Sequence, residues 1–507
     1  MNKNSFQNLV QGDYGRKIAY TSETKIDINN VRKVANIGIK VMNKNADAIR
    51  YLKAYELGDQ PVLYRTKTAR DDINNPIVEN HAYELVQFEV GQSYGEPVQC
   101  VSLKNDERVN KNVDVLNDYY RGIDKQATDI EVGEWVSTVG HGYKAIIRKP
   151  NDEIPFRLIS CDPDSTTIVY SKSTKEPLLA VQKFVDDEGK VTYMAWSDTY
   201  EYSFIPEGLN GDVLSETTMV AEKLHAFNGI PIVEYRNNSD CLSSIELVIT
   251  ILDGINELQS NRVDGVAQFV QSFIKFVNCD IDEETFRKMK DLGAIAVKSN
   301  NGENKADVDI ISQELDQSQG QVLKNDLADN ALQILAIPNR EGNTGGDTQG
   351  AVSLRNGWDA AKLRAKTRDP FITKAEKSIS KLVINELRRK LVSFDLSPLD
   401  YDINIVHSPT DNLFVKAESL GILLEKGIHP LVAIRVCGLW SDAEKVYMES
   451  KPYLDVIYKT IDTVIEEQKL QGEVEKAKGI LKENPLSQNP TFTQAPSPQK
   501  MTNQLKG

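Results

Sequence analysis

A mainly helical α+β protein is what this sequence predicts, and three features predict it. Apolar residues recur every three or four positions through most of the stretch 243–392, the period of one helical face. From His141 to about residue 240 that period gives way to short β-branched and aromatic runs broken by Pro, Asp, Gly and Ser, which are strand and hairpin signals. The chain is 507 residues long with 40 % apolar and 26 % charged content, which describes a globular protein too long for a single core.

In chain order, residues 1–43 read as a lightly structured lead-in, followed by a helix near Asn45–Leu57 with Asn45 as N-cap. Gly58 and Pro61 mark a turn. Helices are expected from about Glu79 to Gly91, around Val113–Tyr120 and from Ala127 to Gly140. The runs YKAIIRK, FRLISCD, TTIVYSK, LLAVQKFVDD, VTYMAWSD and TYEYSFI then predict an antiparallel sheet, with a turn at Asp187-Glu188-Gly189. GIPIVEYRNNSD closes this region.

Val248, Ile251, Ile255, Leu258, Val266, Phe269, Phe273 and Val277 predict one helix over Ser243–Val277, roughly 50 Å long. An acidic insert follows: residues 280–329 hold twelve acids and six bases. In it DEETFRKMKDLG reads as a short helix, and AIAVKS and VDIISQEL as strands. A return helix covers about Gln317–Leu335, and a third long helix follows the glycine-rich loop, with Pro370 placed to bend or break it. DLSPLDYDINIVH gives one more strand, two or three helices follow, and Pro485–Gly507 is compositionally disordered.

The chemistry of the chain is sparse. No run of about 18 uncharged apolar residues exists, so neither a membrane span nor a membrane partner is expected. The N-terminus has no apolar signal region. Cys100, Cys161, Cys241, Cys279 and Cys437 include no close pair and read as reduced thiols in a protein assembled in the cytoplasm. The five histidines lack metal spacing, so no metal and no cofactor is expected. The loop NREGNTGGDTQG lacks the Lys-Ser/Thr pair of a phosphate cradle and follows a helix where such a loop follows a strand. Neither convergent carboxylates nor a serine elbow is visible, and the reading is non-enzymatic. A net charge of −14 argues against gripping duplex DNA through dense cationic contacts, though not against letting DNA slide past. The stretch 351–392 is the exception, with eleven Lys/Arg and four acids; it reads as a solvated or inter-subunit face before a nucleic-acid face.

The order of these segments resembles a tailed-bacteriophage portal protein, the head-to-tail connector, of the type found in long-tailed phages of Gram-positive hosts. YELGDQPVL, IVENHAYELVQFEVGQSYGEPV, SSIELVITILDGINELQSNRVDGVAQFVQSFIKF and IPNREGNTGGDTQGAVSLRNGWDAAKLRAKTRDPFITKAEKSISKLVINELR carry the resemblance, from about Tyr55 to Leu470. The chain departs from the pattern at Gln92-Ser93, before Tyr94. The resemblance implies a dodecameric ring with a central channel. It implies an N-terminal arm (1–24), a wing (25–242 with 351–400), a stem helix (243–277), a small α/β clip (278–316), a return stem helix (317–337), a helical crown (401–480) and a disordered tail (481–507). A tunnel loop, 338–350, would face double-stranded DNA through Asn339, Arg340, Glu341, Asn343, Thr344, Gly345, Gly346, Asp347, Thr348 and Gln349. Terminase, the major capsid and scaffolding proteins and a head-completion adaptor are the implied partners, and a capsid vertex of the virion the implied location. The alternatives are a nuclease or ATPase of a packaging module, and an oligomeric virion adaptor without a DNA channel.

Overall fold

The computed structural model describes residues 14–457 apart from 69–70, 105, 207–213, 216–217, 219, 271–272, 278–283, 285–306, 312–316, 339–356, 408–412 and 441–442. Two units divide the chain, Met1–Asn412 and Leu413–Gly507. The first begins with β1 (Ala19–Thr21), α1 (Val31–Glu56), α2 (His81–Tyr94), β2 (Gln99–Ser102), α3 (Glu107–Gly122) and α4 (Lys125–Val139). Eight strands follow: β3 (His141–Arg148), β4 (Phe156–Cys161), β5 (Thr166–Ser171), β6 (Pro177–Val185), β7 (Val191–Trp196), β8 (Tyr200–Phe204), β9 (Val220–Leu224) and β10 (Ile232–Arg236). Then come α5 (Ile249–Val270), β11 (Phe273–Val277), β12 (Asp307–Ile311), α6 (Gln317–Ile334), α7 (Trp358–Lys390) and β13 (Tyr401–Asn404).

Each strand run read between His141 and residue 240 is a strand, but they build two sheets. One has the order β1-β5-β6-β7-β8-β9 and is antiparallel except for the parallel β1–β5 pair. The other is antiparallel β10-β3-β4. Strand β5 is buried on both faces because it sits between layers. Val169 joins the cluster under α1, whereas Ile168 packs with Tyr143, Ala145 and Ile232 of the second sheet. The turn between β6 and β7 is an Asx turn: Asp186 Oδ1 accepts from the Glu188 and Lys190 amides, and Gly189 takes φ +80°.

Helix α1 starts fourteen residues before the expected N-cap, so Asn45 lies inside it. Val31, Val34, Ala35, Ile39 and Met42 form its buried stripe on the larger sheet, and Gly38 allows the close approach. A Cβ on Gly38 would sit 3.0 Å from Val169 Cγ2. Asn45 is buried and pairs with the backbone of Lys17 through both its amide atoms, at 3.0 and 2.9 Å. That partner lies 28 residues away, which is why a local capping rule misassigned the residue.

The expected helix over Ser243–Val277 is shorter at both ends. It runs Ile249–Val270, and Phe273–Val277 is a strand paired antiparallel with Asp307–Ile311. Phe269, Phe273 and Val277 are four apart, a spacing that suits a period of 3.6 and a period of 2 alike, so the count could not separate them. Within the acidic insert, VDIISQEL does supply β12, while AIAVKS and all but one residue of DEETFRKMKDLG lie outside the described residues. Pro370 does not break α7, which is continuous over 33 residues. The strand placed at the start of a helical region, Tyr401–Asn404, instead pairs with β2 and joins the first unit's core through buried Tyr401 and Ile403. The second unit contains α8 (Leu413–Glu425), α9 (Pro430–Cys437) and α10 (Ala443–Ile457). Pro485–Gly507 lies outside the described residues.

Gly140 ends α4 at φ +91°, and an added Cβ would be driven into the Cys241 carbonyl. Gly140→Ala is expected to lower stability by at least about 2 kcal/mol, through a strained φ and a backbone collision. Urea unfolding of the purified chain is the check. Cys100, Cys161, Cys241 and Cys437 are free and buried. Among the described residues no helix is long and apolar enough to cross a membrane.

Candidate functional site

The part of the first unit that carries the glycine-rich loop is a pair of helices, α5 and α6. Leu252 and Ile255 of α5 share a core with Ala331 and Leu335, and Leu327 of α6 packs against it. Further along, the Gly320 position lies close to Arg262, whose guanidinium reaches Gln321 at 3.0 Å. The opposite requirement, polar groups at helical spacing, appears on another stripe of α5: Asp253, Asn256, Ser260 and Asp264.

These four side chains hold the segment from Tyr55 to Glu79. Asn256 Oδ1 accepts from the Glu79 amide, Ser260 Oγ from the Ile77 amide and Asp264 Oδ1 from the Asn75 amide, each at 2.8 Å. Alternate amides of an extended chain are about 6.6 Å apart, and residues four apart on a helix about 6 Å. The two periods match closely enough for helix side chains to replace a neighbouring strand. Tyr55 donates to Asp253 at 2.8 Å, and Arg65 and Lys67 both reach the other oxygen of Asp264. Burial opposes charge on Asp264, but hydrogen bonds from Lys67 and Asn75 and the nearby Arg65 prevail and bring its carboxyl to about 2. Asp253 has no such cation: burial pushes it up to about 6, with the Tyr55 bond pulling the other way.

The glycine-rich loop leaves α6 through Ala336, whose φ is +53°, and Ile337, whose amide returns to the Leu332 carbonyl at 2.8 Å. All ten residues expected to face a channel, Asn339, Arg340, Glu341, Asn343, Thr344, Gly345, Gly346, Asp347, Thr348 and Gln349, lie outside the described residues. Their flanks are described. Pro338 and Trp358 line a cavity of about 460 Å³ together with Leu85, Phe88, Leu252 and Leu332, and His81 and Glu84 are polar groups in its wall.

Much of the cationic stretch of α7 is paired within its own chain. Arg364 and Arg368 both reach Glu89 of α2, at 3.2 and 3.1 Å, and Arg368 also donates to Ser93. Lys377 pairs with Asp402, Arg388 with Asp395 and Arg389 with Glu386. Deeper in, Glu376 completes a square of alternating charge. Lys144 contacts Asp129 at 2.5 Å and Glu376 at 2.6 Å; Lys125 contacts the same two carboxylates at 2.5 and 3.0 Å. All four side chains are at most 4 % exposed. This square ties α4, β3 and α7 together, and Tyr235 of β10 adds a hydrogen bond to Glu376.

The family model described as "Phage portal protein, SPP1 Gp6-like" matches residues 37–410, well over half of the chain. The chain belongs to the SPP1 Gp6-like phage portal proteins. A portal or connector role in a virion, and a structural one, follows from that membership. No curated protein matches the chain. Similar solved structures include a chain of the virion of a native gene transfer agent particle, with TM-score 0.42, 12 % identity, and 78 % of this chain and 94 % of that one covered. A chain from the neck of the empty particle, computed with C6 symmetry, gives 0.39 and 11 %, with 74 % and 87 % covered. One from the neck of the native particle, computed with C12 symmetry, gives 0.39 and 11 %, with 71 % and 90 % covered.

The portal chain also contains a group of metal-type donors that sequence spacing did not bring together. His141, Glu234 and Cys241 place one ligand atom each within 4.8 Å of the others. The oxygens of Glu234 are already engaged by His141, Tyr143, Tyr170 and Arg236. Burial pulls the His141 imidazole below its ordinary value against the hydrogen bond and charge of Glu234, with Arg16 and Arg236 adding to the lowering, and a divalent ion there would face those same cations. The arrangement works as a buried hydrogen-bond network. Asp186 serves its turn through its side chain, whereas Asp162 offers the Ser165 amide and hydroxyl only its backbone carbonyl. The polar stripe of α5 was missed, although its three- and four-residue spacing is visible once the apolar face is set aside.

Proposed function

We propose that copies of this chain close into a dodecameric ring at one capsid vertex. Double-stranded DNA would pass through the channel of that ring into the head during packaging and out again at ejection. The portal family match over residues 37–410 carries this reading. Helices α5 and α6 would form the stem, β11 and β12 with the residues between them the clip, and 338–350 the tunnel loop. Val266, Val322, Leu323 and Ile334 leave large apolar side chains exposed on α5 and α6, and a neighbouring copy is the natural cover for such surfaces. A net charge of −14 per copy gives a ring of twelve on the order of −170, a regime in which DNA is guided and not gripped. The clip would meet terminase and then a head-completion adaptor, with the capsid and scaffolding proteins on the wing and crown. ATP hydrolysis would belong to the terminase.

Electron microscopy of the purified full chain, together with its mass in solution, tests this reading. A closed ring with an open axial pore is the expected result. Compact monomers at every concentration and ionic strength would overturn it.

A further inference from the structure

His407 is the last described residue of the first unit, three positions after β13 and just before the chain enters the second unit. Its ring bridges two helices. Nδ1 lies 3.1 Å from the Gln92 carbonyl oxygen of α2, and Nε2 lies 2.8 Å from the Asp369 carboxylate of α7. Both partners are acceptors. A neutral imidazole has one N–H, so it can donate to one of them and must turn a lone pair on the other; only the imidazolium satisfies both.

The neighbouring charges fit that state. From α7, Asp369 faces the ring directly, and Arg368 opposes its charge from one residue away. The Arg368 guanidinium is itself turned to Glu89 and Ser93 of α2. From α2 the ring meets an uncharged carbonyl. The hydrogen bond to Asp369 is the largest influence and outweighs burial, so the proton is held more tightly than in a free histidine.

We propose that His407 is a proton-operated latch, pinning the end of the first unit onto α2 and α7 while it carries two N–H groups and releasing one anchor when it loses a proton. The sign follows from the raised folded value. The stabilisation is complete below the unfolded histidine value of about 6.5 and is lost as pH rises through the folded one. Residues 401–407, at the end of the first unit, are therefore seated while the imidazole keeps its second proton and loosen once pH has risen through the folded value.

Hydrogen exchange of the full-length chain, read by mass spectrometry between about pH 6 and pH 9 and corrected for intrinsic rates, tests the latch. Peptides spanning residues 401–407 are expected to lose protection between the unfolded histidine value of about 6.5 and the folded one, by up to about tenfold per pH unit, the slope of one proton, and to level off above it. His407→Gln is expected to remove that slope. Asp369→Asn keeps an acceptor but removes the charge, so the transition should move to lower pH with full protection below it. A flat wild-type profile overturns the proposal, as does the same slope in His407→Gln. Should His407→Gln lack protection at every pH, an unmoved transition in Asp369→Asn overturns it instead.

Discussion

Replacing Lys144 with methionine is expected to destabilise the first unit by about 3–5 kcal/mol, the scale for removing one member of a buried ion pair. Lys144 is fully buried, and its ammonium lies between Asp129 and Glu376. Without it those two carboxylates share the single cation of Lys125, buried away from bulk solvent. Adding Glu376→Gln restores the count of one cation to one anion, so the double variant should recover part of the loss. Equilibrium denaturation of all three proteins measures both terms. A loss under about 1 kcal/mol for Lys144→Met would mean that the square is solvated in a way its burial denies. Acid gives the same test without mutation. Burial opposes the charge on Glu376, but Lys125 and Lys144 prevail and lower its carboxyl to about 2. Its contribution is therefore present above the ordinary glutamate value of about 4.3 and is lost as pH falls from there towards 2.

Asp264→Ala is the second large effect, expected at about 3 kcal/mol. It removes the acceptor of the Asn75 amide and side chain and the shared partner of Arg65 and Lys67. Two cations then lose the carboxylate they share, and a backbone N–H loses its acceptor, at the far end of α5. Asp253→Ala is the useful contrast, because it takes away one tyrosine hydrogen bond and no ion pair. Unfolding midpoints should fall much further for Asp264→Ala, and limited proteolysis should cut the segment 65–79 first in that variant. Equal losses in the two proteins would remove the special weight placed on Asp264.

The readable parts of this protein were those whose signal is local. The strands from β3 to β8 and β10 each carried β-branched or aromatic runs bounded by turn residues, and each formed. The long helices announced themselves through apolar spacing, and the portal resemblance rested on their order. What escaped depended on distant partners. Asn45 looked like a cap because its true partner, Lys17, is known only from the fold. Phe273–Val277 fitted two periods, and pairing with a segment 34 residues away decided between them. The basic face of α7 could not be assigned from its own residues, because Glu89 and Asp402 reach it from other elements. The loop expected to face DNA gave a composition and no geometry.

The match between α5 and the chain beside it limits how the two can move. Because acceptors recur every four helix residues and donors every two chain residues, a small slip would strand every bond at once. The next compatible alignment lies about 6 Å away, one full step of both repeats. Helix α5 and residues 75–79 should therefore travel together, so an axial shift of the helix carries this segment with it, as through a toothed rack.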